Sequence, residues 1–138
     1  MVATIDMKHM MYLNLFAQTT RVSTRFCFGY NEILFFCVPK GLISKAIGEE
    51  GKNTKKLNHI LNKKIKIIAC PNGIEDVGTF IQSIVDPVTF KDVEVKENEI
   101  VLMASTQSKA ALIGRNKRRL LEMQKIIRDF FQKEFRIN

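Results

Sequence analysis

The 138-residue sequence predicts an α+β protein of two tandem units, each a three-stranded sheet packed against helices. Three observations carry that prediction. A glycine turn, Ile47-Gly48-Glu49-Glu50-Gly51-Lys52-Asn53, recurs at an offset of 66 residues as Ile113-Gly114-Arg115-Asn116-Lys117-Arg118-Arg119. Each turn lies between two segments of helical periodicity. Each helical pair follows two runs rich in β-branched and aromatic residues, which suit a pleated surface. The turn-prone Cys70-Pro71-Asn72-Gly73 separates the copies, dividing the chain into residues 1–71 and 72–138.

From Met7 to Ala17, the apolar Met7, Met10, Met11, Leu13 and Phe16 can be placed mostly on one side of a helix, at irregular spacing. Val22–Phe28 and Glu32–Val38 read as a hairpin around Gly29-Tyr30-Asn31. Arg21, Ser23 and Arg25 alternate with Val22, Thr24 and Phe26, which predicts one wet face. Pro39 ends the second strand because proline cannot donate to a ladder. A short helix over Leu42–Ile47, the first glycine turn, a helix over Lys52–Leu61 carrying Leu57, Ile60 and Leu61, and a strand over Ile65–Ala69 complete the first unit.

The second unit opens on a helix bearing Ile74, Val77, Phe80, Ile81 and Ile84 as an apolar stripe. Strands over Val88–Val95 and Ile100–Ala104 flank the polar turn Lys96-Glu97-Asn98-Glu99. A short helix over Gln107–Ile113, the second turn, and a long helix over Arg118–Phe131 come next, with Leu120, Met123, Ile127 and Phe130 as the buried side of the long helix. A closing strand at Phe135-Arg136-Ile137 would complete the copy.

The net charge of +8 is unevenly placed. Residues 1–72 hold 11 Lys/Arg against 4 Asp/Glu, whereas residues 73–138 hold 11 against 10. Seven lysines fall between Lys45 and Lys66, around the first turn. Such a field attracts polyanions or acidic membrane surfaces, and a solvated lysine-rich face serving solubility is the alternative. Lys63 and Lys64, at the end of a helix, are explained by its dipole alone. The second turn places four basic residues in five positions at a helix start, against the dipole, and this favours a polyanionic partner.

Catalysis finds no support in the pattern. His9 and His59 stand in separate helices with no serine, cysteine or carboxylate arranged around them. Gly51-Lys52 lacks a glycine five residues before Gly51 and is followed by Asn53, so the phosphate-binding loop of nucleotide hydrolases is excluded. Cys27, Cys37 and Cys70 form neither a C-x-x-C nor a metal-like cluster, which predicts a reducing compartment. No run is long or apolar enough for a membrane span, so a cytoplasmic protein without cofactor or metal is expected.

A Gly-x-x-Gly turn between helices lets the backbone bend where a Cβ would clash, and it opens amide N–H groups toward a phosphate at the next helix's N-terminus. An apolar residue followed by this turn resembles the hallmark of the KH domains, and the strand order is similar to their type II arrangement. The tandem pair also resembles the archaeal NusA family of transcription factors, through Asn14-Leu15-Phe16, Val38-Pro39-Lys40-Gly41 and Lys45-Ala46-Ile47-Gly48. The resemblance spans nearly the whole chain and is strongest over Val38–Asn53 and Lys109–Leu120.

This resemblance implies a protein that binds single-stranded RNA in transcription termination or antitermination, with RNA polymerase as its protein partner; a monomer without membrane association is expected. The RNA-binding residues it implies are Lys45, Ile47, Gly48, Glu49, Glu50, Gly51, Lys52, Lys55 and Lys56 in the first copy. In the second they are Gly114, Arg115, Asn116, Lys117, Arg118 and Arg119. Two departures stand out. Glu49 and Glu50 fill both positions between the first pair of glycines, where carboxylates oppose a phosphate and Lys52, Lys55 and Lys56 offset them. Lys117 replaces the last glycine of the second turn, so it must be left-handed at a cost of about 1 kcal/mol, or the turn has changed shape. Thr54 also stands where the family pattern has a larger apolar residue, a position that Leu120 fills in the second copy. The alternative function is a KH-fold scaffold that docks on RNA polymerase or the ribosome and has lost most RNA affinity.

Overall fold

A computed structural model describes residues 7–138, so residues 1–6 of the expected first domain lie outside the described part. The chain divides into two compact units that meet at Cys70 and Pro71. Each is an α+β unit with one three-stranded mixed sheet.

In the first unit, helix α1 (Met7–Thr20) leads into the antiparallel strands β1 (Phe26–Tyr30) and β2 (Ile33–Val38). Helices α2 (Ile43–Ile47) and α3 (Lys52–Leu61) then cross over to β3 (Lys64–Ala69), which pairs parallel to β2. β2 is central, and its run Leu34-Phe35-Phe36-Cys37-Val38 is buried throughout, as a strand covered on both faces requires. Tyr12, Phe16, Leu34, Phe36, Val38, Ala46, Leu57, Ile65 and Ile67 form the core between this sheet and its helices. Phe16 stacks on Phe36 with ring centroids 4.3 Å apart.

The second unit repeats this order. Helix α4 (Val77–Val85) precedes the antiparallel β4 (Asp92–Val95) and β5 (Glu99–Met103). Helices α5 (Thr106–Ile113) and α6 (Arg118–Phe131) lead to β6 (Glu134–Ile137), parallel to β5. The offset of 66 holds up to the start of α6. It becomes 70 afterwards, because α6 is 14 residues long where α3 is 10, about one extra turn. Both helices close on a left-handed residue, Asn62 at φ 52° and Gln132 at φ 56°.

Several expectations are corrected. Residues 22–25 are not a strand: the Thr20 hydroxyl donates to the Phe16 carbonyl (2.8 Å) and accepts from the Val22 N–H (3.1 Å), while the Thr24 hydroxyl bonds to the Cys37 carbonyl. These side chains occupy the groups that a ladder would use. The hairpin turn is Asn31-Glu32, both left-handed, with Gly29 and Tyr30 inside β1; two residues at φ 53° and 63° match strand twist. Residues 88–90 stay out of β4 because pairing with β5 reaches only Met103, opposite Asp92, plus one bond from the Lys91 N–H to the Met103 carbonyl (2.7 Å).

Helix burial also differs from the periodicity-based expectation. The inward stripe of α1 is Tyr12, Phe16 and Thr20, at intervals of four, whereas Met7, Met10 and Met11 are exposed. In α3, Leu57 is buried but Ile60 is exposed. In α6, Met123, Ile126 and Ile127 are buried, and Leu120 and Phe130 are only half-buried. Among the described residues, no helix is long and apolar enough to cross a membrane, and no group of His, Cys, Asp or Glu is placed to hold a metal.

Candidate nucleic-acid interface

Both glycine turns are built by the same local device. α2 stops at Gly48, which takes φ 82° and ψ 167°, and whose N–H closes on the Ser44 carbonyl at 3.0 Å. Glu50 (φ 55°, ψ 27°) and Gly51 (φ 73°, ψ 20°) are both left-handed, and the Gly51 N–H donates to the Gly48 carbonyl at 3.1 Å. In the second unit, Gly114 stands at φ 75° and ψ 172°, Asn116 at 56° and 27°, and Lys117 at 61° and 22°. The closing bonds recur as Gly114 N–H to the Ala110 carbonyl (3.0 Å) and Lys117 N–H to the Gly114 carbonyl (3.1 Å). Lys117 is therefore left-handed, and the turn has kept its shape without its second glycine.

Each leading glycine is required by the close approach of a residue early in the next helix. A Cβ on Gly48 would lie 2.9 Å from Nδ2 of Asn53, and one on Gly114 would lie 2.6 Å from Cγ of Arg119. Asn53 is buried, and its Nδ2 donates to the Ala46 carbonyl at 3.1 Å, tying the start of α3 to the end of α2. The matching Arg119 instead runs over Gly114 and pairs its guanidinium with Glu122 at 2.9 Å, with the two side chains only 19% and 24% exposed. Sequence reasoning did not single out Asn53. Its signal was a polar residue four before Leu57, on the inward stripe of α3.

The structure gathers Lys45, Ile47, Gly48, Glu49, Glu50, Gly51, Lys52, Lys55 and Lys56 around the first turn. Lys45, Glu49, Glu50, Lys52, Lys55 and Lys56 are exposed, whereas Ile47 packs against the core and so acts as an anchor for the turn. Around the second turn, Arg115, Asn116, Lys117 and Arg118 are exposed, and Arg119 is drawn into its ion pair. Among the described residues, the N–H groups of Arg115 and Asn116 have no backbone acceptor, and the same holds for Glu49 and Glu50. Each turn therefore combines spare N–H donors with the start of a helix of ten or more residues, an arrangement suited to an anion. The surroundings differ in sign. Residues 109–125 carry six basic side chains against Glu122 alone, whereas residues 45–56 carry four against Glu49 and Glu50 within the turn itself.

The cysteines lie outside these turns and are not joined in disulfides. The Cys70 N–H donates to the Val38 carbonyl (2.8 Å), next to Cys37 in β2. A hydrogen bond to Cys70, reinforced by burial, holds the Cys37 thiol protonated far above the ordinary range, and the same bond lowers Cys70.

No protein-family model matches the chain, and no curated protein matches it. It is similar to the solved structure named "Crystal structure of APE1850", with 23% identity and a TM-score of 0.70 over 97% of this chain and 100% of the other. That likeness shows the fold. The two-unit α+β architecture, with its pair of three-stranded mixed sheets, is thus shared along essentially the whole length.

Proposed function

We propose that the chain is a tandem KH-type protein that binds single-stranded RNA and acts in transcription termination or antitermination, without catalysis. The observation that carries this reading is the second turn. It preserves the backbone of a glycine turn at the energetic cost of a left-handed lysine, and it holds Arg115, Lys117 and Arg118 exposed at the start of α6. Three cations at the positive end of a helix repel one another and the dipole, so they are stabilised when a polyanion neutralises them. In this reading the ribose-phosphate backbone crosses the turn, and unstacked bases lie on the neighbouring apolar surface. Engagement of a nascent transcript near RNA polymerase is the context that the KH and NusA resemblance supplies.

A second reading, a KH-fold scaffold that docks on RNA polymerase or the ribosome, is favoured by Glu49 and Glu50, which bring negative charge to the first turn. One titration separates the two. Mixed-sequence single-stranded RNA added to isotopically labelled protein should move the backbone amides of residues 114–117, with affinity that falls steeply with salt. Shifts at residues 48–52 as well would make both turns RNA-binding. Absence of shifts at both turns at low salt would reject RNA binding and leave the scaffold.

A further inference from the structure

Helix α1 has two apolar sides, and the fold uses one. At about 100° per residue, Tyr12, Phe16 and Thr20 define the inward side, and Met7, Met10 and Met11 project from roughly the opposite side. Met7 is 87% exposed, Met10 53% and Met11 56%. Together with Leu15, and with Ile60 and Leu61 from α3, they line an open groove of about 670 Å³ whose polar lining is Asn14 and Gln18. Every one of these residues belongs to the first unit.

We infer that this α1–α3 groove is the docking site for an acidic amphipathic helix of a protein partner. Charge complementarity selects the acid. Neither α1 nor α3 contains an aspartate or glutamate, while Lys52, Lys55 and Lys56 lie on α3 and Lys63 and Lys64 come directly after. Lys56 is exposed one turn before Ile60, and Lys63 and Lys64 are exposed just past the end of α3. A helix with an apolar stripe flanked by carboxylates places the stripe on the methionines and the carboxylates on these ammonium groups.

Shape and side-chain chemistry select the helix. From Met7 to Gln18 the groove runs along α1 for about 16 Å, the length of three helical turns. Methionine is flexible and polarisable, so it moulds to the apolar face of a partner helix. A ribose-phosphate chain gains nothing from thioethers, and the groove offers no exposed aromatic ring or arginine for a base to stack on. A membrane surface is met by a protruding apolar ridge, whereas here the apolar residues line a groove shared by two helices.

The test uses the full chain with ¹³C-methyl methionine. The probe is a peptide of about 18 residues with leucine at i, i+3, i+4 and i+7 and glutamate flanking that stripe. The expected result is shifted methyl signals of Met7, Met10 and Met11, with Met103 and Met123 of the second unit unmoved. Met10→Glu with Met11→Glu should weaken the peptide by about tenfold or more and leave RNA affinity unchanged. Both side chains are exposed, so far-UV circular dichroism should report an intact fold. A scrambled peptide of equal charge that binds equally well would overturn the proposal, since charge alone would then suffice. Methyl shifts caused by phosphatidylserine vesicles but not by the peptide would overturn it in favour of a membrane, and unmoved methyls with either probe would overturn it outright.

Discussion

The two glycine turns have one backbone and opposite chemistry. Their matched dihedral angles agree closely, the largest difference being 73° against 61° at φ of Gly51 and Lys117. Both are closed by the same pair of backbone bonds. Yet the residues between the first glycine and the next helix are Glu-Glu-Gly in one and Arg-Asn-Lys in the other. Each turn needs two consecutive left-handed residues, and each has one that suits the role, Gly51 in the first and Asn116 in the second. Strain thus sits at Glu50 in one copy and at Lys117 in the other. The backbone is set by the leading glycine and the closing bonds, which leaves the intervening side chains free to diverge in charge.

The largest way to break the symmetry is electrostatic. Reversing Arg115, Lys117 and Arg118 to glutamate should lower RNA affinity by about a hundredfold at low salt and flatten its salt dependence by about two units of logarithmic slope. Reversing Lys52, Lys55 and Lys56 should cost clearly less, because Glu49 and Glu50 already oppose a phosphate there. Binding measured across a salt series checks both. Equal losses would mean that the two turns are equivalent despite their charges.

Next comes the leading glycine. Gly48→Ala and Gly114→Ala each put a side chain at φ near +80° with extended ψ, a region costing about 1–3 kcal/mol. Gly48→Ala should be the more damaging by about 1 kcal/mol. Its Cβ displaces Asn53 from a buried bond to the Ala46 carbonyl, whereas Arg119 can give up a partly exposed ion pair. Denaturant unfolding of the two variants reads the difference.

The helices after the turns were legible because both signals coincide there: α3 and α6 start at Lys52 and Arg118, at the end of a glycine turn and the head of an apolar stripe. Strand limits were less so. Residues 22–25 alternate like a strand, yet Thr20 and Thr24 divert their neighbourhood into side-chain bonds that composition does not announce. The methionines of α1 read as one side with Phe16, because their irregular spacing does not tell which of two apolar sides meets a sheet. At the site, the cations and glycines were visible, but the fate of Arg119 was not. Only the approach of its stem to Gly114 and the position of Glu122 one turn on show that its charge is spent within the protein.

A graft between the turns tests the first one directly. Glu49→Arg with Glu50→Asn writes the second turn's residues into the first, and RNA affinity should rise by about tenfold, equivalent to about 1.4 kcal/mol, at low salt. The gain should vanish at high salt, where added charge is screened. An unchanged affinity would show that RNA does not cross the first turn.

The smallest effects test where the strain lies. Glu50→Asn and Lys117→Gly each place a residue that tolerates the left-handed region at a position already in it, so each should stabilise its own unit by up to about 1 kcal/mol. The glycine gain is partly offset by the extra freedom of the unfolded chain, so Glu50→Asn should be the better of the two. Their effects on RNA should point in opposite directions. Glu50→Asn removes a carboxylate from the first turn and should tighten binding, while Lys117→Gly removes a cation from the second and should loosen it. Lys117→Gly that gains stability and loses affinity would mean that the lysine is retained for its charge at the expense of its backbone. If it gains both, the strain itself is what hinders binding, and the second turn would be improved by becoming more like the first.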